Sequence, residues 1–571
     1  MAWTVVLFRK FKLWRQRTTD MKSFKKEFTV AVLAIFGLLW FSAAGQQRAQ
    51  PGQAPVVVDV NVSADDLVTQ PPAANWTSYN GDYTGRRYSS LRQITAANVA
   101  HLRAAWIFHS SNSERLEVTP VVVRGVMYVT SANDAWALDG RTGRVIWHHQ
   151  RLVSTGLLDD AAGHKNRGVG VWRNFVYMET DDAHLLCLDA RSGRLLWDVM
   201  YADKAKQYGA TSAPLIVKDE VVVGTSGGDS GVRGFIAAYD TVTGNLKWRF
   251  WTIPAPGEFG SSSWPGDSYL HGGGTTWMPG TYDPKLDTLY WTTSNAAPDF
   301  VGDSRPGDDL YTACVLALNP TTGALKWYFQ FTPHDLYDYD ATETPVLLSA
   351  KINGRMRDLL VQANRNGFLY ILDRTNGKFL KATPFVAKLN WATGIDASGR
   401  PILTGRIPNA EGTEICPSID GATNWFSPSY NPETGFFYVM ALESCSVFFA
   451  HPQPFAQGQT FYDTGTKLAP DDHAQKVLLA YSVSEGKIVW RYPQVGRGDS
   501  WGGTLTTAGN LVFFGNDAAS FEAVEARTGR ALWQFNTGQS MHASPMSYAV
   551  DGAQYVAIAA GSDVISFALP N

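Results

Sequence analysis

The chain is poor in cysteine, with only Cys187, Cys314, Cys416 and Cys445 in 571 residues. None sits in a C-x-x-C-H motif, which excludes a covalently attached c-type haem. None follows the N-terminal apolar run, so a lipoprotein attachment site is absent. An excess of one charge is also missing. Lys and Arg total 49 against 52 Asp and Glu, giving a net charge of −3. That balance argues against a basic nucleic-acid surface and against an acidic disordered tail. No apolar run reaches the roughly 20 residues of a membrane span. The D-x-D-x-D-G spacing of an EF-hand calcium loop does not occur.

The longest N-terminal apolar stretch, TVAVLAIFGLLWF (29–41), follows the basic segment MKSFKKEF with Lys22, Lys25 and Lys26. Small residues come next, and the pattern suits an export signal cleaved near Ala44 or Gly45. Residues 1–45 are therefore read as a signal region whose true start is Met21 or Met1. The expected destination is the periplasm, with no stable membrane insertion after cleavage. Residues 46–72, rich in Gln, Pro, Ala and Val, read as a linker, and 73–571 as the folded body. Export permits a disulfide. Cys416 and Cys445 bracket a turn-rich segment and are the candidate pair. Cys187 and Cys314 lie in apolar strand-like runs and read as buried free thiols.

What the chain has in plenty is glycine, 52, and tryptophan, 20. Both belong to a repeat: an apolar run, Asp or a similar residue, a turn ending in Gly, then Trp. The copies are AWALDGRTGRVIW (135–147), LLCLDARSGRLLW (185–197), IAAYDTVTGNLKW (236–248), VLALNPTTGALKW (315–327), LLAYSVSEGKIVW (478–490) and FEAVEARTGRALW (521–533). LYILDRTNGKFLK (369–381) lacks the Trp, and LRAAW ends an earlier strand at Trp106. Each copy reads as a β-hairpin whose Gly adopts positive φ. Gly143, Gly193 and Gly244 recur at the spacing of four short strands, one propeller blade. The interval 244→323 predicts an insertion. The interval 377→486 predicts two blades, with YNPETGFFYV (430–439) as a degenerate copy. The expectation is an all-β, eight-bladed propeller with Trp packed between blades.

Motifs outside the repeat carry a resemblance. The stretch WTSYNGDYTGRRYSSLRQITAANVAHLRAAW (76–106), together with the repeat, resembles the quinoprotein alcohol dehydrogenases. That resemblance runs from about residue 73 to the end. It implies a periplasmic eight-bladed propeller holding pyrroloquinoline quinone (PQQ) and a metal ion. It places Glu117 (LEVTP), Arg167 (NRG) and Thr211 (GATSAP) against the cofactor. Ser226, Gly227 and Gly228 (SGGDSG), Thr275 and Trp277 (GGGTTW), Asn424 (ATNW) and Trp501 (DSWGG) join them. Trp277 would form the aromatic floor, and Arg167 would pair with cofactor carboxylates. The implied metal ligands are Asp229, Asn295 and Asp338, with Arg365 (NRNG) beside the reactive carbonyl. The resemblance also implies a Cys416–Cys445 disulfide. Two departures stand out. Ala161 and Ala162 occupy the place of the family's adjacent cysteines, and Asp229 that of a longer glutamate.

An all-oxygen ligand set suits a hard cation. Asp338 is the expected general base, and Arg365 would stabilise charge on the hydride-accepting carbonyl. Asp340, two residues on in PHDLYDYD (333–340), matches the D-x-D of lanthanide-dependent members. A lanthanide(III) ion is thus favoured, with Ca²⁺ the alternative. Asp335 and His334 are expected to shape the loop. The expected reaction is oxidation of a primary or secondary alcohol to an aldehyde or ketone, with a separate cytochrome c as electron acceptor. Two other functions compete: a PQQ-dependent sugar or polyol dehydrogenase, and a non-catalytic propeller scaffold.

Overall fold

The computed structural model describes residues 59–570 except 114, 160, 353, 463, 471 and 497–499. The expected signal region lies outside the described residues. No described helix is long and apolar enough to cross a membrane. The chain is an all-β propeller. Among the described residues, seven sheets have four strands and one has five, with smaller two- and three-stranded sheets beside them.

The repeat builds these sheets as its chemistry requires. Its first apolar run is the third strand of a sheet, as in Ala135–Asp139 and His184–Asp189. Those strands are almost wholly buried, because both faces of the sheet are covered. The outer strand, as in Val145–His149, is buried mainly at its Trp. The Asp that opens each turn accepts hydrogen bonds from the backbone N–H groups ahead of it. Asp139 takes those of Arg141 and Thr142 at 2.9 and 3.2 Å, and Asp240 those of Val242 and Thr243. Such side-chain capping is why Asp or Asn recurs there.

The turn glycine has two tasks. Gly193 needs φ +68°, and its bare Cα lets the indole of Trp147 lie flat on it. A Cβ there would meet the ring at 2.6 Å. Trp106 lies in the same way on Gly143, Trp248 on Gly323, Trp327 on Gly377 and Trp490 on Gly529. The indole N–H donates to the same turn, from Trp147 to the Ala190 carbonyl at 2.9 Å and from Trp248 to that of Pro320 at 2.7 Å. Where the repeat lacks Trp, Lys381 reaches over Gly486, and its amine donates to the Gly486 carbonyl at 3.2 Å.

Two expectations are corrected. YNPETGFFYV is not a separate unit. Its turn joins Ser429–Asn431 to Phe436–Glu443, the first two strands of the sheet completed by Gln475–Ser482 and Lys487–Pro493. The sheet missing from the repeat count is the closing one. Arg103–His109 pairs with Asp563–Ala568, so the N-terminal strand completes a sheet of three C-terminal strands. The interval 377→486 is long because of an insertion. Its strands Thr413–Ile415, Ser446–Ala450 and Thr464–Leu468 pair together, and the Cys416–Cys445 disulfide ties them at the base. Cys187 and Cys314 are buried free thiols. Residues 59–72, expected to be linker, are packed instead. Val60, Val62 and Leu67 are buried, Val62 bridges to Arg173, and Ser63 caps a short helix, Ala64–Val68.

Candidate functional site

A cavity of about 380 Å³ gathers loops that lead into a strand of each of the eight larger sheets among the described residues. Glu117 precedes Val121–Val123, Arg167 precedes Gly170–Trp172, and Thr211 precedes Leu215–Val217. Trp277, Asp340, Asn424, Trp501 and His542 stand just before Thr281–Asp283, Val346–Ile352, Ser429–Asn431, Thr504–Thr507 and Met546–Val550. Loops between second and third strands add Ser226, Gly227, Gly228, Asp229, Asn295 and Arg365. Thr275 and Asp338 complete the set, so every site residue expected from the sequence lines this one cavity.

Arg167 is buried between two indoles, with its guanidinium carbon 5.0 Å from the Trp277 ring and 4.5 Å from that of Trp425. It pairs with Glu117 at 2.7 Å and donates to the Thr211 hydroxyl at 2.7 Å. Thr275 shares a hydrogen bond with Ser294, and the Asn424 side-chain oxygen accepts from Arg365 at 3.3 Å. Trp501 packs edge-on against Phe426. Gly227, at φ +95°, and Gly228 bring bare backbone to the cavity wall. Ala162 lines the wall at one of the two positions where alanine replaces the adjacent cysteines of the family it resembles. Its neighbour Ala161 is held through its carbonyl, which accepts from the Ser226 hydroxyl.

The segment 335–340 explains its own composition. Asp335 accepts from the N–H groups of Tyr337 at 2.9 Å and Tyr339 at 2.8 Å, which folds the loop. Burial pushes the Asp335 carboxyl up to about 6 against those two bonds and Arg305. Tyr337 and Tyr339 stack on one face and donate to the carbonyls of Arg406 and Pro417. His334 contacts Asp309 at 3.1 Å. Asp338 and Asp340 take the alternate positions and reach the cavity, helped by φ +59° at Asp338. Arg365 joins them. It donates to the Asp338 carbonyl at 2.9 Å and lies 3.6 Å from its carboxylate and 3.2 Å from that of Asp340. Asp340 also accepts from the Asn295 N–H at 2.6 Å and the Trp277 indole at 2.9 Å. Three of its roughly four acceptor positions are thus in use.

Carboxylate oxygens of Asp229, Asp299 and Asp338 lie within 4.8 Å of one another. Like charges at that distance repel by about 3 kcal/mol per pair even at an effective dielectric constant near 20. Burial pushes Asp338 well above the usual carboxylate range; Arg365 opposes this, and Asp229 and Asp340 add to it. Asp299 is raised likewise, by burial first and then by Asp229 and Asp338. A multivalent cation between these oxygens relieves the same repulsion.

Sequence reasoning missed Asp299, Trp425 and His542. His542 carries a signal in the chain, because it stands three residues before Pro545 as Glu117 does before Pro120 and Thr211 before Pro214. Burial pushes its imidazole down to about 3, with Arg115, Lys476 and Lys165 adding to the shift. Trp425 simply follows Asn424. Asp299 shows itself only as an acid in the apolar run AAPDFV.

Residues 76–385 and 490–556 match the PQQ-dependent family described as "Glucose/ethanol/alcohol dehydrogenase, beta-propeller domain". The unmatched stretch between them holds the disulfide-tied insertion. The chain is 39% identical over 515 residues to quinohemoprotein alcohol dehydrogenase ADH IIB of Pseudomonas putida, covering 86% of this chain and 74% of that one. It is 36% identical over 530 residues to quinoprotein alcohol dehydrogenase PedH of the same species, covering 88% of each. A solved europium-containing methanol dehydrogenase superposes with a TM-score of 0.81 at 30% identity, covering 87% of this chain and 98% of that one.

Proposed function

The chain belongs to the PQQ-dependent alcohol dehydrogenase family, and from that premise we propose that Asp338 is the general base of a periplasmic enzyme oxidising small primary or secondary alcohols. The eight larger sheets are its eight blades, with the repeat Trp residues docking each on the next. The observation that carries the reading is the meeting of Asp338, with Arg365 beside it, with Asp229 and the buried Asp299 in one carboxylate trio, in the cavity that Trp277 lines.

The residues fit the family's cofactor and metal. Glycine backbone at 227–228 admits a close planar ligand, and Trp277 offers it an aromatic face. Arg167, already buried beside Trp277, has a fork suited to a cofactor carboxylate. Asp229, Asn295, Asp338 and Asp340 offer oxygen donors to a hard cation. When bound, PQQ with its metal would supply a polarised quinone carbonyl suited to take up hydride from the alcohol carbon. The chain's own residues do the rest. Asp338 takes the hydroxyl proton at its carboxylate. Arg365 holds the Asp338 main chain and presents its charge to the reacting region. Asp340 fixes the indole of Trp277 and the backbone of Asn295.

Asp340 favours a lanthanide(III) ion over Ca²⁺, since a trivalent ion is better neutralised by one more carboxylate. The 380 Å³ cavity must hold both cofactor and substrate, which favours a small alcohol over a sugar. A relative 35% identical over 557 residues is named 1-butanol dehydrogenase (cytochrome c), which supports a cytochrome c as acceptor. The test is reconstitution with PQQ plus La³⁺ or Ca²⁺, followed by dye-linked oxidation of alcohols and of glucose. Alcohol-dependent dye reduction with retained quinone absorbance is expected. Loss of the quinone on gel filtration with both ions would refute the reading.

A further inference from the structure

Asp299 lies in the irregular segment between Thr288–Thr292 and Cys314–Leu318, four residues beyond Asn295. Its side chain is buried to 1% exposure, and neither carboxylate oxygen has a hydrogen-bond partner. A buried carboxylate without donors is costly in any fold.

Its placement is nevertheless enforced. Arg305 donates through Nε to the Pro298 carbonyl at 3.2 Å and through a terminal nitrogen to the Asp299 carbonyl at 3.3 Å. The same guanidinium donates to the Asp335 carbonyl at 2.7 Å, so it ties this segment to the loop carrying Asp338. The charge of Arg305 is engaged by the fully buried Asp309. Arg305 therefore fixes the Asp299 backbone without bonding its carboxylate. That leaves the carboxylate aimed at Asp229 and Asp338, within 4.8 Å of an oxygen of each. Asp340, by contrast, already uses three of its roughly four acceptor positions on Asn295, Trp277 and Arg365.

We propose that Asp299 is a direct ligand of the metal ion, supplying a carboxylate oxygen beside those of Asp229 and Asp338. This rests on the metal-dependent reading above and deepens it. The cation is what satisfies the unpartnered oxygens. One more anionic oxygen raises the preference for a trivalent over a divalent ion, so Asp299 and Asp340 act in the same direction by different routes. Asp299 bonds the ion, and Asp340 also holds the surrounding ligands in place.

Tb³⁺ serves as the probe, bound to the full chain with PQQ. Affinity is read by calorimetry, and coordinated waters by the luminescence lifetimes in H₂O and D₂O. Asp299→Ala should weaken Tb³⁺ binding by at least about tenfold and add about one water to the ion, because the coordination number is kept. Asp299→Asn should weaken binding while leaving the metal-free protein at least as resistant to urea as the wild type. That result separates a ligand from a residue needed only for folding. An unchanged water count with affinity within tenfold of wild type would overturn the assignment of Asp299 alone. Failure of the wild-type protein to bind Tb³⁺ would overturn the metal reading with it.

Discussion

Gly193→Ala tests how the sheets are held together. Two costs follow from the structure. Gly193 has φ +68°, and a non-glycine residue in that left-handed region costs about 1–2 kcal/mol. Its new Cβ would also lie 2.6 Å from the Trp147 ring, an overpacking worth about 1–3 kcal/mol. The expected loss is therefore about 2–5 kcal/mol, the sum of those terms. Gly435→Ala supplies the control. Its φ is +72° but nothing lies within 4 Å of the added Cβ, so only the first cost applies. Equilibrium urea unfolding measures both. In a Trp147→Ala background the indole is gone, and Gly193→Ala should fall to the cost seen at Gly435. Equal losses for the two glycines in the wild-type background would refute docking as a source of stability.

Other consequences concern the site and its surroundings. Asp340→Ala should lose La³⁺-supported turnover far more than Ca²⁺-supported turnover, and equal losses would remove the argument for a lanthanide. His542 has a folded value of about 3 against an ordinary 6.5, so the unfolded chain binds its proton first and stability falls as pH drops through that window. His542→Gln should flatten that fall in urea unfolding between pH 6.5 and 3, and an unchanged slope would contradict the burial argument. Cys416→Ser opens a bridge with a sequence separation of 29. It should cost about 3–4 kcal/mol by loop-closure entropy, seen as faster proteolytic cutting within 386–474; wild-type resistance would show that the insertion is held by packing alone.

The repeat was legible because hairpin chemistry is local. An Asp that caps the turn, a Gly at positive φ and a Trp after it are fixed within one short stretch of sequence. The closing sheet was not legible as such. Arg103–His109 and Asp563–Ala568 are paired across almost the whole chain, and no local signal announces that register. YNPETGFFYV misled for the opposite reason. Its turn looks like the others, but it joins the first two strands of a sheet, and Gly435 receives no indole. Most cavity residues were found through motifs of the leading loops. Asp299 escaped because its role depends on Arg305, which pins its backbone, and on Asp229 and Asp338, which approach from other loops. His542 escaped because its Pro-anchored position is plain only once Glu117 and Thr211 are seen to share it.

Asp338 removes the substrate proton while the surrounding residues hold cofactor and metal. Asp338→Asn measures it most directly, in a single-turnover mixture of reconstituted protein and alcohol followed by quinone absorbance. At saturating La³⁺ and PQQ the variant should be loaded with both, yet reduce the quinone about 10²–10⁴-fold more slowly. A variant that keeps both and reduces the quinone at the wild-type rate would contradict the account.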